Sequence, residues 1–274
     1  MNRLSKSGID YLDYTWNFYS GCWNWRNGVC AVRTNCWAMK TVQRFPKRYP
    51  NGFNPTFYPE AFDSPLKLRK PSRIGVAFMG DLFGGWLNPD MRILKFDPVS
   101  VFGIEKIEGD TIEAAVTFTK VGRCTADCYE SLKECIFNVI KDCPQHTFIF
   151  LTKCPQNLAK WSPFPPNCWV GATCMNALNL HQALPELEKV DAKMKFISFE
   201  PLRSKMNQED LDELHRAVNW AIVGAQTKPT VFPYPRDVIS LVAACDKQGI
   251  PVFMKRNLYD QRLNPRTLRQ EYPR

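Results

Sequence analysis

Histidine is scarce in this 274-residue sequence, which contains three. His146 begins a strand-like run, and His181 and His215 fall in helix-like segments away from strand ends, so acid–base catalysis by histidine is not expected. Long apolar runs are missing too. The longest, such as Trp220 to Ala225, have the length of a strand and fall far short of the roughly 20 residues of a membrane helix. The opening segment, Met1 to Tyr14, mixes Arg3, Lys6, Asp10 and Asp13 with few apolar residues, which does not suit a secretory or transit peptide. These absences lead to the expectation of a cytoplasmic protein with no membrane partner. Low-complexity tracts are absent as well, and a composition of 45% hydrophobic and 23% charged residues is that of an ordinary globular chain.

Cysteine is plentiful instead. Eleven cysteines in a reducing compartment are either clustered metal ligands or scattered small hydrophobes, because such a compartment does not sustain a disulfide framework. The formal net charge of +9 suits an anionic partner such as a nucleic acid or nucleotide, or reflects only a basic surface.

Short apolar runs bounded by turns recur along the chain, most followed by a helix-compatible stretch. They are Tyr14 to Phe18, Arg73 to Met79, Thr147 to Leu151, Trp169 to Ala172, Lys195 to Phe199, Trp220 to Val223 and Ile250 to Met254. Runs without alternation predict strands buried on both faces of a parallel sheet. Helical spacing appears in Tyr129 to Asp142, Leu178 to Val190, Gln208 to Val218 and Asp237 to Gln248. The expectation is a single α/β domain over residues 1–274. An inserted β-hairpin is expected at about 96–121, where FGIEKIEG and DTIEAAVTFTKV flank Gly109-Asp110. In such folds functional groups gather where strands end.

One loop stands out. YSGCWNWRNGVCAVRTNCWAMK places Cys22, Cys30 and Cys36 between a strand and a helix, without the paired C-x2-C spacing usual for structural zinc. Three thiolates on one loop suit a 4Fe-4S cluster whose fourth iron stays open to a small molecule. Zinc with a distant fourth ligand and ordinary unliganded thiols are the other readings. Cys124, Cys128 and Cys135 share a face if helical, which amphipathic packing explains, with an auxiliary metal site as the alternative. Cys143, Cys154, Cys168, Cys174 and Cys245 show no ligand pattern.

Several motifs carry a family resemblance. They are TWNFYSGC at Thr15 to Cys22 with CWA at Cys36 to Ala38, FMGDLF at Phe78 to Phe83 and HTFIFLTKCP at His146 to Pro155. Further along come NCWVGAT at Asn167 to Thr173, FISFEPL at Phe196 to Leu202, WAIVGAQ at Trp220 to Gln226 and GIPVFMK at Gly249 to Lys255. In this order they resemble the phage Gp37/Gp68-like family, DUF5131, which looks like a set of divergent radical S-adenosylmethionine enzymes. Two features depart from the family pattern: five residues separate Cys30 from Cys36, where C-x2-C is usual, and Gly224-Ala225-Gln226 replaces a Gly-Gly-Glu-Ser-like turn.

The resemblance implies a partial (β/α)6 radical-enzyme barrel. Cys22, Cys30 and Cys36 would hold the 4Fe-4S cluster, S-adenosylmethionine would be cleaved to a 5′-deoxyadenosyl radical, and an electron donor protein would serve as partner. Trp37, Gly80, Asp81, Gly224 and Gln226 are the expected cofactor contacts, with the Asp81 carboxylate suited to an ammonium group. Asp81 could also be a helix N-cap, and Trp37 a core residue. Lys153 and Glu200 end strands and are the candidate catalytic residues, for contact with cofactor or substrate or for pairing with one another. Lys255 and Arg256 could meet an anionic substrate. A nucleic acid or nucleotide is the expected substrate class. The rival from another class is a basic, zinc-stabilised nucleic-acid-binding module without redox chemistry.

Overall fold

The computed structural model describes residues 4–28, 30, 32–85, 87–94, 129–258 and 268–273. The expected hairpin at 96–121, Cys124 and Cys128 lie outside these residues. The fold is mixed α/β with largely parallel strand pairing. Its chain divides into two compact units, one of residues 1–8 and 12–148 and one of residues 9–11 and 149–274.

The first unit contains β1 (Leu4–Lys6), β2 (Tyr14–Trp16), β3 (Tyr19–Ser20), α1 (Trp23–Arg26), α2 (Trp37–Arg44), β4 (Thr56–Phe57), β5 (Arg73–Val76), β6 (Arg92–Leu94), β7 (Tyr129–Ser131) and α3 (Leu132–Lys141). β2 pairs antiparallel with β1 and parallel with β5. Trp16 and Phe18 are fully buried and pack against one another and Phe62 at centroid separations of 4.6–5.8 Å. The Trp16 indole N–H is satisfied by the Ala61 carbonyl at 2.9 Å. Burying each such ring contributes about 1.5–3 kcal/mol. α3 starts where Ser131 and Glu134 cap one another: the Ser131 hydroxyl accepts from the Glu134 N–H at 3.1 Å, and the Glu134 carboxylate accepts from the Ser131 N–H at 2.8 Å. The buried side of α3 includes Cys135, as amphipathic packing predicts.

The second unit continues from β8 (Thr147–Thr152) through β9 (Cys168–Thr173), α4 (Ala177–Glu188), β10 (Met194–Phe199), α5 (Gln208–Asp212), β11 (Trp220–Val223), α6 (Pro235–Lys247) and β12 (Val252–Met254). β9, β10, β11 and β12 are parallel neighbours in that order. All four residues of β11 are buried, as a non-alternating run requires when both faces of the sheet are covered. Tyr11, Phe196, Phe253 and Tyr272 surround Trp220 at centroid distances of 5.5–6.1 Å. Seven predicted apolar runs coincide with strands. The predicted helix from Gln208 is shorter than expected, ending at Asp212 before a 3-10 turn at Leu214–Arg216.

Among the described residues no helix is long and apolar enough to cross a membrane.

Candidate functional site

Two glycines set the position of the cysteine loop. Gly21 and Gly80 form a parallel bridge, and the Gly21 N–H donates to the Met79 carbonyl at 3.0 Å. Gly21 has φ +87°, and a Cβ there would stand 2.3 Å from the Asn54 carbonyl oxygen; a Cβ on Gly80 would stand 2.3 Å from the Gly21 oxygen. Only glycine permits so close an approach of two backbones. The next residues on the two bridged segments are Cys22 and Asp81. Asn17 fixes the same corner, its side-chain oxygen accepting from the Met79 N–H at 3.2 Å and its amide donating to Thr15 at 3.1 Å.

Asp81 is buried at 8% exposure. Its carboxylate accepts from the Phe83 N–H at 3.1 Å, so it closes a turn; among the described residues no regular helix starts there for it to cap. Its charge is felt at Cys22. Burial pushes the Cys22 thiol up to about 12, the Asp81 carboxylate and Cys30 push the same way, and the Trp25 and Asn24 N–H groups pull it back.

Beyond Cys22 the loop is held by local contacts. The Cys30 N–H donates to the Asn24 carbonyl at 3.2 Å, the Arg33 N–H to the Cys30 carbonyl at 3.0 Å, and the Cys36 N–H to the Arg33 carbonyl at 3.4 Å. The Trp25 indole donates to that same Arg33 carbonyl at 3.0 Å, and the Arg33 guanidinium lies 5.0 Å from the Trp25 ring centroid. Cys36 then precedes α2. Trp37, the first residue of that helix, is 52% exposed, which overturns its reading as a core residue: it sits on the side of α2 away from buried Ala38 and Val42.

Burial separates the thiols of the described residues into two groups. Cys22, Cys30 and Cys36 are partly exposed, whereas Cys135, Cys143, Cys154, Cys168, Cys174 and Cys245 are buried. Burial raises the Cys168 and Cys174 thiols well above their ordinary range, as it raises Cys22, so exposure and not acidity separates the two groups. The three loop thiols fit an iron–sulfur cluster by donor type, exposure and shared loop. Among the described residues, no three His, Cys, Asp or Glu side chains already form a metal-binding group, so that fit is one of chemistry and not of distance.

A second polar cluster occupies the strand ends of the second unit. Register partners share a face: Ser198 pairs with Ile222 and Ile222 with Phe253, and two residues after each come Glu200, Gly224 and Lys255. Glu200 forms an ion pair with Lys255 and accepts from the Asn257 amide at 3.2 Å. Asn257 also bridges the backbone of Ala225, accepting from its N–H at 3.1 Å and donating to its carbonyl at 2.9 Å. Gly224 lies beneath this cluster, where a Cβ would press on the Glu200 side chain at 3.0 Å. The Lys255 ammonium lies 5.9 Å from the Tyr11 ring centroid. Burial, then the charges of Glu200 and Asp10, raise the Tyr11 phenol well above its ordinary range. Gln226 accepts from Arg203 at 2.7 Å and donates to the Pro229 carbonyl at 3.2 Å. Lys153 follows β8 as an exposed side chain.

The structure thus brings Gly80 and Asp81 to the start of the cysteine loop at Cys22 in the first unit, with Cys30 and Cys36 farther along that loop, and gathers Glu200, Gly224 and Lys255 in the second. Tyr11, Asn17, Gly21, Trp25 and Asn257 were missed in the sequence reading. Gly21 had a usable signal, since it immediately precedes the first cysteine. Asn257 had none, because its partners lie 57 and 32 residues away.

A profile of the family described as "Protein of unknown function (DUF5131)" matches residues 6–97 and 125–264. The chain belongs to the DUF5131 family. The gap in the match, 98–124, falls on the stretch read as an insertion. Both the cysteine loop and the Glu200–Lys255 cluster lie inside the matched DUF5131 segments. No curated protein and no solved structure matches the chain. His146, His181 and His215 stay outside both clusters: His146 bonds to the Leu68 carbonyl at 2.8 Å, His181 to Asp210 at 3.0 Å and His215 to Gln248 at 3.0 Å.

Proposed function

We propose that this chain is a radical S-adenosylmethionine enzyme in which Cys22, Cys30 and Cys36 hold a 4Fe-4S cluster. The observation that carries the reading is the separation, among the described residues, of these three partly exposed thiols from six buried ones, on a loop anchored by the Gly21–Gly80 bridge. When bound, such a cluster supplies the electron for reductive cleavage of a carbon–sulfur bond in the cofactor. The partial (β/α)6 barrel is the fold reading that belongs with this proposal.

The chain's own residues have simpler tasks. The loop thiols give up their protons on ligation and hold the group as thiolates, which a bound cation favours despite the burial of Cys22. Asp81, adjacent to the Gly21–Gly80 bridge, offers a carboxylate to an ammonium group. Gly80 keeps that segment close to the loop. Trp37 presents an aromatic face beside the last thiol. In the second unit, Lys153, Glu200, Gly224 and Gln226 are assigned to cofactor or substrate by the resemblance alone. There Glu200 is already neutralised by Lys255, so it acts as one member of a pair.

Purification without oxygen, with iron, sulfide and zinc quantified and 5′-deoxyadenosine measured after adding reductant and S-adenosylmethionine, tests the proposal. About four irons with matching sulfide, and product abolished in Cys22→Ala and Cys36→Ala, is the expected result. Zinc without iron would replace it with the zinc-stabilised nucleic-acid-binding module. Iron without product would leave a structural cluster and no enzyme.

A further inference from the structure

Between Tyr14 and Pro59 the sequence contains Arg26, Arg33, Lys40, Arg44, Lys47 and Arg48 and not one Asp or Glu. Those six cations supply +6 of the chain's net +9, so the basic character is concentrated in the cysteine loop and α2. Trp37, Lys40 and Arg44, spaced three and four apart, line one side of α2, opposite the buried Ala38 and Val42. Phe45, the residue after α2, is 47% exposed, close to the 52% of Trp37. Arginines of the segment stack on neighbouring rings: Arg26 on Trp23 at 5.5 Å, Arg33 on Trp25 at 5.0 Å and Arg44 on Phe45 at 5.4 Å. Among the described residues Arg26, Arg33, Lys40 and Arg44 form no ion pair, unlike Arg73, Lys189, Arg216, Lys255 and Arg269.

We infer that this face binds single-stranded nucleic acid, the cations meeting phosphates while Trp37 and Phe45 stack on unpaired bases. Cations such as Arg26, Arg33, Lys40 and Arg44 attract a polyanion and release its counterions. Stacked guanidiniums are pre-oriented for phosphate and lose less freedom on binding. Two exposed rings among these cations give bases a surface that a duplex, with its bases already stacked, would leave unused. An anionic bilayer would need more apolar side chains to insert than this face provides, since Thr41 and Gln43 lie among the cations. The binding claim is independent of the cofactor reading; that the bound strand is also the substrate rests on it.

Fluorescence anisotropy at low salt with labelled 20-nucleotide DNA and RNA single strands, the matching duplexes and phosphatidylserine vesicles tests the inference. Single strands of one or both sugars should bind more tightly than their duplexes. Lys40→Gln/Arg44→Gln should flatten the log–log salt dependence by about 1.4, at about 0.7 per cation. Phe45→Ala should weaken binding at least about fivefold, the loss of one stacked base. The control Lys160→Gln/Lys193→Gln, with equal charge loss in the second unit, should change neither, and unchanged thermal melting certifies that each variant is folded. Absence of strand binding, preference for duplex, binding to vesicles alone, or equal loss in the control would each overturn the inference.

Discussion

The strand ends of the second unit hold their charges in pairs, whereas the cysteine-loop segment of the first carries six cations and no carboxylate. Glu200 and Lys255 are 23% and 12% exposed and share Asn257 as a third partner. Arg26, Arg33 and Arg44 instead lie on aromatic rings at the surface. The two arrangements cost different things. A half-buried ion must be compensated within the fold, or its desolvation works against folding. An exposed guanidinium stays hydrated and costs folding little, so its charge is left for a partner.

Four tests bear on that contrast. The largest effect is expected from Gly21→Ala, where a Cβ meets a carbonyl oxygen at 2.3 Å in a residue with φ +87°. A loss of about 3 kcal/mol in urea unfolding is expected, and a near-neutral result would mean the loop is not clamped there. Next comes Lys255→Met, which leaves the Glu200 carboxylate with Asn257 alone and should cost about 2 kcal/mol. Adding Glu200→Gln should recover most of that loss; strictly additive losses would show that the two residues do not act as a pair.

A smaller effect is expected for Glu271→Gln. Hydrogen bonds from Arg269 at 2.8–2.9 Å hold the Glu271 carboxyl below the usual carboxylate range. A depressed folded-state value contributes stability above the unfolded value, about 4.3, and that contribution disappears as pH falls through the folded one. The carboxylate is 42% exposed, so solvent screening keeps the effect under about 1 kcal/mol. Wild type and variant should therefore differ at neutral pH and converge on acidification, when melting is followed against pH. The smallest change is expected for Lys40→Gln/Arg44→Gln, within about 0.5 kcal/mol of wild type, because both side chains are exposed. A large destabilisation there would place these cations in the fold and dissolve the contrast.

Strands and helices were legible wherever a run of apolar residues was long enough to show its period. The runs at Arg73, Thr147, Lys195 and Trp220 all became strands. Leu4–Lys6 and Thr56–Phe57 were not foreseen, since two or three residues carry no period and depend on a partner strand. Lys153 was matched to Glu200 as one option because both end strands; the carboxylate pairs with Lys255. Trp37 was read as a cofactor contact with a core residue as the alternative, and its place on the outer side of α2 leaves it exposed, which removes that alternative.

By itself the sequence determined the parallel α/β pattern, the three-cysteine loop and the concentration of positive charge, because each depends on residues close together in the chain. Tertiary structure alone decided which thiols are buried, that Gly80 brings Asp81 beside Cys22, and that Glu200 meets Lys255 and Asn257. Those facts depend on backbone approach and shared faces between residues 55–60 positions apart, where local spacing carries no information.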